Sequence, residues 1–287
     1  MPPRPLKLKN QMNNLLKRTL TGIGFVALMV AGMLVKYVFP FLMMLIMFGM
    51  LREFFEISVG KGVLTREKIF AYIAGLGFFA LIFCVYEFGM KFRFVTLVLL
   101  PLVAMLTSFI FEKDHSCIDK LAFLFYGLLY ISLPIGLIPL LVYYTGPFDG
   151  RLLLSLFIMI WMSDVGAYCI GSMLGQRPGA KKLAPAISPK KSWWGVAGGA
   201  IFCAGAAVAL HFAGWLPFGL IHCLILSLVV CFGDVVGDLA ESVWKRHFGV
   251  KDSGNSIPGH GGFLDRFDSS IIAIPLGGIY MAIFALL

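Results

Sequence analysis

Apolar residues in this chain come in unbroken blocks of bilayer-crossing length, again and again. The blocks fall at about 19–36, 37–51, 69–88, 92–111, 121–144, 152–172, 193–213, 216–236 and 269–287. A helix needs about 20 mostly apolar residues to cross a hydrocarbon core. Composition agrees: 59% of the 287 residues are hydrophobic and 14% charged, against roughly 25% charged in a soluble domain. Too little polar surface is present to cover a water-soluble fold, which excludes disorder, a disulfide scaffold and an ordinary cytosolic enzyme. The expected fold is all-α: a polytopic integral membrane protein of about nine transmembrane helices.

The first two blocks are separated only by Tyr37-Val38-Phe39-Pro40, which predicts a tight hairpin or one bent element. Pro134 and Pro139 should kink the fifth block, because each removes a backbone donor. The organisation expected is a basic segment at 1–18, N-terminal helices over 19–144, and C-terminal helices over 145–287 bearing loops at 173–192 and 237–268. The basic start before an apolar run reads as a retained signal anchor, since no convincing cleavage site follows.

Net charge is +9, from 24 Lys+Arg against 15 Asp+Glu. In a membrane chain this excess marks cytoplasmic loops rather than a nucleic-acid surface. With the N-terminus cytoplasmic and the spans alternating, 20 of the Lys+Arg fall on the inner side, and only Lys36, Lys91, Arg93 and Arg151 fall outside. That split favours a cytoplasmic N-terminus and an odd number of spans. The six cysteines form no C-x-x-C pair and mostly lie in apolar runs, so they read as reduced packing residues.

Chemistry-bearing residues gather at the two longest inner segments. Asp234, Asp238, Glu241 and Lys245 are spaced 4, 3 and 4 apart, which puts them on one face of a helix, with Ser242 beside them. Glu241–Lys245 alone is an ordinary i,i+4 pair. Asp234 and Asp238 together point further, since a carboxylate at membrane depth is costly and turns toward a protein interior or a wet cavity. Downstream, Arg246, Lys251 and Arg266 add cations, Asp252, Asp265 and Asp268 add oxygens, and His260 sits among glycines. Asp265 and Asp268 share a face if the last helix begins near Leu264. Cations for phosphate oxygens beside acids for a metal suit a metal–polyphosphate complex.

Upstream, Asp164 is followed on its helix face by Tyr168, Gly171 and Gly175, small residues that permit close helix packing. A loop with Arg177, Lys181, Lys182, Ser188, Lys190 and Lys191 comes next. Trp193 and Trp194 read as interfacial anchors more readily than as base-stacking platforms.

These residues resemble the phosphatidate cytidylyltransferases, or CDP-diacylglycerol synthases. The family's C-terminal pattern, G-D-L-x-E-S-x-x-K-R, then K-D, then H-G-G-x-x-D-R-x-D, is matched from Gly237 and Asp238 through Ser242, Lys245, Arg246, Lys251, Asp252, His260, Asp265, Arg266 and Asp268. Its D-x-x-A-Y-x-x-G and I-S-P-x-K elements are matched at Asp164, Ala167, Tyr168, Gly171, Ile187, Ser188, Pro189 and Lys191. Two positions depart: Ser172 stands where a basic residue is common, and Trp194 where an acid often precedes the glycine. The resemblance covers the C-terminal half; the N-terminal half matches in hydropathy alone.

The resemblance implies transfer of cytidylate from CTP to phosphatidate, giving CDP-diacylglycerol and pyrophosphate, with Mg²⁺ as cofactor. Asp238, Asp265 and Asp268 are the expected metal ligands, with Asp234 as a further ligand or a supporting carboxylate. Lys245, Arg246, Lys251 and Arg266 are expected on phosphates, Ser188 and Lys191 on CTP, and His260 orienting a phosphate. Asp252 completes the expected catalytic set, and Asp164, Tyr168 and Ser242 the expected substrate-binding set. A second cation and a homodimer are left open; no nucleic-acid partner is expected. The expected setting is a bacterial inner membrane with the site facing the cytoplasm. Two other readings compete: a CTP-dependent lipid kinase, and an ion-coupled transporter using Asp164 and Asp234. The CDP-alcohol phosphotransferases are less favoured, because their D-G-x-x-A-R core is absent.

Overall fold

A computed structural model describes residues 22–111, 115–257 and 261–286. The basic segment at 1–18 and His260 lie outside the described residues. Helices dominate. α1 is Gly22–Leu34, and a turn at 35–38 leads into α2, Phe39–Ser58, with Pro40 in its first turn. Proline is tolerated there because the first-turn N–H groups lack helical partners anyway. A short turn thus separates the two blocks where the sequence predicted a tight hairpin or one bent element. α3, Thr65–Phe88, ends on Gly89 with φ +64°, a left-handed cap that glycine adopts without penalty. A 3₁₀ turn, Phe92–Val98, runs into α4, Leu99–Ile110.

The fifth block is interrupted as the prolines require. α5, Ile118–Gly127, passes through a π-turn at Leu128–Ser132 into the short helices α6, Leu133–Gly136, and α7, Ile138–Val142. α8 spans Arg151–Met173, and a two-stranded hairpin follows, β1 Lys182–Ala184 antiparallel to β2 Ser188–Ser192. α9 is Trp193–Phe212, α10 Leu220–His247 and α11 Leu264–Ile283.

Six of these segments are long and apolar enough to cross a membrane: α3, Phe92–Ile110, Ile118–Val142, α8, α9 and α10. The expected count of nine is not confirmed. α1 is short, and α2 and α11 carry charged residues within their 20 residues: Arg52, Glu53 and Glu56 in one, Asp265, Arg266 and Asp268 in the other. Large apolar side chains nonetheless lie exposed along the helices, among them Phe41, Ile201, Ile221 and Phe232. Exposed apolar surface on that scale is stable against lipid, not water. The protein is an all-α, polytopic integral membrane protein.

Two boundaries differ from expectation. α10 continues to His247 and α11 begins at Leu264, so the loop expected over 237–268 is confined to 248–263. The acids and bases of 238–247 are the polar continuation of a helix whose apolar part ends near residue 236. The loop expected at 173–192 likewise carries the β-hairpin.

The core has two parts. α2 is deeply buried, with Phe39, Met47, Met50, Leu51, Phe54 and Phe55 fully enclosed, and it packs on α3, α5, the π-turn and α11. α8, α9, α10 and α11 pack together as the second part. Gly166 of α8 faces the Gly198 carbonyl of α9, and Gly171 faces Gly195, so these two backbones approach more closely than bulkier residues would allow.

Candidate functional site

The site lies where the ends of α8, α9, α10 and α11 meet the hairpin and the 248–263 loop. α9 starts cleanly because the Ser192 hydroxyl accepts from the Gly195 N–H at 3.2 Å, a standard N-cap. That cap joins β2 directly to α9 and carries Lys190 and Lys191 to the end of α8. On α10, Gly233 lies against Ala273, and Gly237 against the Asp268 carbonyl and Ser269. The Ser269 hydroxyl donates to the Asp234 carbonyl at 3.2 Å. α10 and α11 are thus held backbone to backbone where their acids project.

Two cavities open here and share two walls, Asp164 and Asp238. The first, of about 540 Å³, is bounded by α8, α9, α10 and the hairpin, with Ala167, Tyr168, Val196 and Val235 beside Lys190, Lys191 and Asp234. The second, of about 750 Å³, is more polar, with Lys245, Asp252, Asn255, Asp265, Arg266 and Asp268 on its walls. Asp164, Asp234, Asp238 and Asp268 lie close enough for their charges to act on one another. Two of the lysines are engaged: Lys191 pairs with Asp238, and Lys245 pairs with buried Glu241 and donates to Asp265 at 2.9 Å. Ser242 donates to Asp238 at 3.3 Å.

The expected residues divide by place. Asp234, Asp238, Lys245, Asp252, Asp265, Arg266 and Asp268 line one or both cavities, as do Asp164, Tyr168 and Lys191. Ser242 stands beside Asp238. Arg246 is turned to the Val250 carbonyl, and Lys251 is exposed. Ser188 opens β2 without lining either cavity. His260 falls outside the described residues.

Asp265 is the most heavily bonded of the expected acids. Besides Lys245, it accepts from the Ser253 N–H at 3.1 and 2.9 Å and from the Gly262 N–H at 2.9 Å. An acid in the first turn of a helix is favoured there by the exposed N–H groups. Asp238 and Asp268 are less encumbered. The Asp268 carboxylate accepts from the N–H of Ser269 at 2.8 Å and neighbours Glu241.

One residue escaped the sequence reading. Glu53, near the end of α2, is buried at 6% exposure. It accepts from the hydroxyls of Ser253 and Ser256 at 3.0 and 2.6 Å, and from the N–H groups of Phe263 and Leu264 at 3.0 and 2.9 Å. It therefore ties the middle of the loop to its last residue and caps α11. Its only sequence signal was an acid inside a buried-looking apolar run, beside Arg52 and Glu56.

A divalent cation fits the donor chemistry, because six carboxylates, Asp164, Asp234, Asp238, Asp252, Asp265 and Asp268, line the two cavities against four cations, Lys190, Lys191, Lys245 and Arg266. The set is open rather than closed: among the described residues, no three His, Cys, Asp or Glu side chains converge as a ready metal site. Substrate oxygens and water would have to complete the shell, as they do for Mg²⁺ bound through one or two carboxylates.

Comparison with known proteins bears on the family of the chain. The model of the cytidylyltransferase family matches residues 16–284. A phosphatidate cytidylyltransferase of Bacillus subtilis is 43% identical over 128 residues, covering 45% of this chain and 46% of its own. One of Haemophilus influenzae is 46% identical over 141 residues, covering 47% and 48%. In these two, the matched stretch spans about half the relative's length. One of Rickettsia bellii is 36% identical over 199 residues, covering 66% of this chain and 81% of its own. The family match takes in the N-terminal helices that hold Glu53 as well as the acidic helices it braces, and the chain belongs to the cytidylyltransferase family.

Proposed function

We propose that the chain transfers cytidylate from CTP to phosphatidate, forming CDP-diacylglycerol and pyrophosphate. The observation that carries this reading is the pair of cavities meeting at Asp164 and Asp238. One is walled largely by apolar helix faces and the other by charged groups at helix ends. A bilayer-anchored phosphate and a water-borne triphosphate can each enter its own chamber and meet at the shared wall.

In this reading the polar chamber takes CTP. Arg266 and Lys245 face its phosphates, and Asn255 offers a neutral polar contact. The first chamber takes the phosphatidate headgroup, with Lys190 at its rim. Lys191, expected from the family resemblance to hold CTP, pairs with Asp238 at the junction, where either reacting phosphate can reach it. The phosphatidate phosphate is a monoester with a second pKa near 6, so it is already largely dianionic at neutral pH. Its oxygen attacks the α-phosphorus of CTP, and pyrophosphate departs. No strong general base is required. The barrier lies in bringing two anions together, which positioning and charge stabilisation lower.

Asp238 and Asp268 are the residues proposed to hold Mg²⁺, with Asp164 and Asp234 behind them. When bound, the ion supplies charge neutralisation to the triphosphate. The bonds to Asp265 support a different part for that acid, ordering the 248–263 loop against α11. The proposed setting is a bacterial inner membrane, with both chambers reached from the cytoplasmic side.

The test is incorporation of α-³²P-labelled CTP into phosphatidate-containing micelles by the full-length chain, with and without Mg²⁺. Labelled CDP-lipid and equimolar pyrophosphate are expected, with Mg²⁺ required. Transfer of a γ-phosphate with release of CDP would show a lipid kinase instead.

A further inference from the structure

Two acids from opposite halves of the chain grip the 248–263 loop, and one serine stands between them. Ser253 is buried at 5% exposure. Its backbone N–H donates to both carboxylate oxygens of Asp265, at 3.1 and 2.9 Å. Its hydroxyl accepts from the Asp265 N–H at 3.3 Å and donates to Glu53 at 3.0 Å. The hydroxyl thus works in both directions, as acceptor toward α11 and as donor toward α2. The space around it is closed: a Cβ at Gly262 would stand 2.2 Å from the Ser253 Oγ. Ser256 reaches the same Glu53 carboxylate at 2.6 Å. Ser253 and Ser256 therefore turn toward Glu53, while the residues just before them, Asp252 and Asn255, stand in the wall of the polar chamber. A loop has no regular ladder of backbone bonds to offset the entropy of ordering it. The bonds at 253 and 256 take that part here. No residue of the N-terminal half lines either cavity, so α2 reaches the site through this loop.

We propose that Ser253 is a positioning residue for the polar chamber: its hydroxyl, held between Glu53 and Asp265, sets where Asp252 and Asn255 face the bound nucleotide. The inference rests on the cytidylyltransferase reading above, in which this chamber takes CTP. Ser253 lines neither cavity and acts through its neighbours, not on substrate.

Ser253→Ala removes only the oxygen. In the full-length chain in phosphatidate micelles, assayed well below Tm, KM for CTP should rise about tenfold, the scale of one hydrogen bond to a charged acceptor. KM for phosphatidate should stay within about twofold of wild type, because the other chamber is untouched. Tm should fall by only a few degrees, since three of the four bonds to Glu53 remain. Added to Asn255→Ala, the substitution should raise KM for CTP at most about threefold further; added to Lys190→Ala, in the other chamber, it should still raise it about tenfold. A KM for CTP close to wild type would overturn the proposal. So would equal rises in both constants, or the same rise in every background, either of which would mark Ser253 as packing. The rise in Tm caused by CTP with Mg²⁺ reads nucleotide affinity without turnover, and Ser253→Ala should move its midpoint to about tenfold higher CTP. If the wild-type chain formed no CDP-lipid yet this midpoint moved, the proposed function would fail and the positioning role would stand. If CTP left the wild-type Tm unchanged, the chamber takes no nucleotide and both would fall.

Discussion

Glu53 and Asp238 show how differently two acids can be used in one site. Glu53 is enclosed and accepts four hydrogen bonds. Removing a buried charged acceptor leaves its donors unpaired, so Glu53→Ala should cost about 3–5 kcal/mol of stability. A Tm lowered by many degrees, with activity lost in parallel, is the expected outcome in a thermal melt. Asp238 is half-buried, faces both cavities and pairs with Lys191. Asp238→Asn should abolish labelled-CTP incorporation while Tm stays within a few degrees of wild type. An active Asp238→Asn protein would remove Asp238 from the proposed metal set. Asp238 was legible in the sequence because its neighbours repeat at helical spacing and match a family pattern. Glu53 was not, since its partners lie about 200 residues away and nothing local distinguishes it from a charge at the membrane border.

At the scale of elements, the acidic stripe works only if α10 and α11 touch backbone to backbone. A Cβ at Gly237 would stand 2.6 Å from the Asp268 carbonyl and 2.7 Å from the Ser269 Cα, and backbone cannot yield as a flexible side chain can. Gly237→Ala should therefore push the helices apart and cut activity at least tenfold. Gly205→Ala, on α9 where a Cβ meets nothing within 4 Å, should leave activity unchanged and stabilise the helix by up to about 1 kcal/mol. Parallel activity and thermal-melt measurements on the two variants check both expectations; equal effects would mean the helix contact is not what matters. The apolar blocks made the helices visible, but not where α10 stops. Hydropathy falls near residue 236 while the helix runs on to His247, since backbone hydrogen bonding continues after the lipid-facing surface ends. The hairpin at Lys182–Ser192 was hidden for the opposite reason: a short polar strand pair carries no apolar period to read.

In the proposed function, the whole molecule lets reactants of opposite solubility approach one point from different chambers. If the chambers are divided as proposed, single cations should separate the two Michaelis constants. Lys190 lines only the first cavity, and Arg266 only the second. A lysine or arginine contact to phosphate is worth about 1.5–3 kcal/mol as a charged hydrogen bond, which is roughly a tenfold change or more in binding. Lys190→Ala should therefore raise KM for phosphatidate about tenfold and leave KM for CTP near wild type. Arg266→Ala should do the reverse. Surface-dilution kinetics, varying the mole fraction of phosphatidate in micelles at saturating CTP and then CTP at saturating lipid, separates the two constants. If both substitutions raised only KM for CTP, the first chamber would be a nucleotide site and phosphatidate would have to enter elsewhere. If each raised both constants equally, the shared wall at Asp164 and Asp238 would not divide the substrates at all.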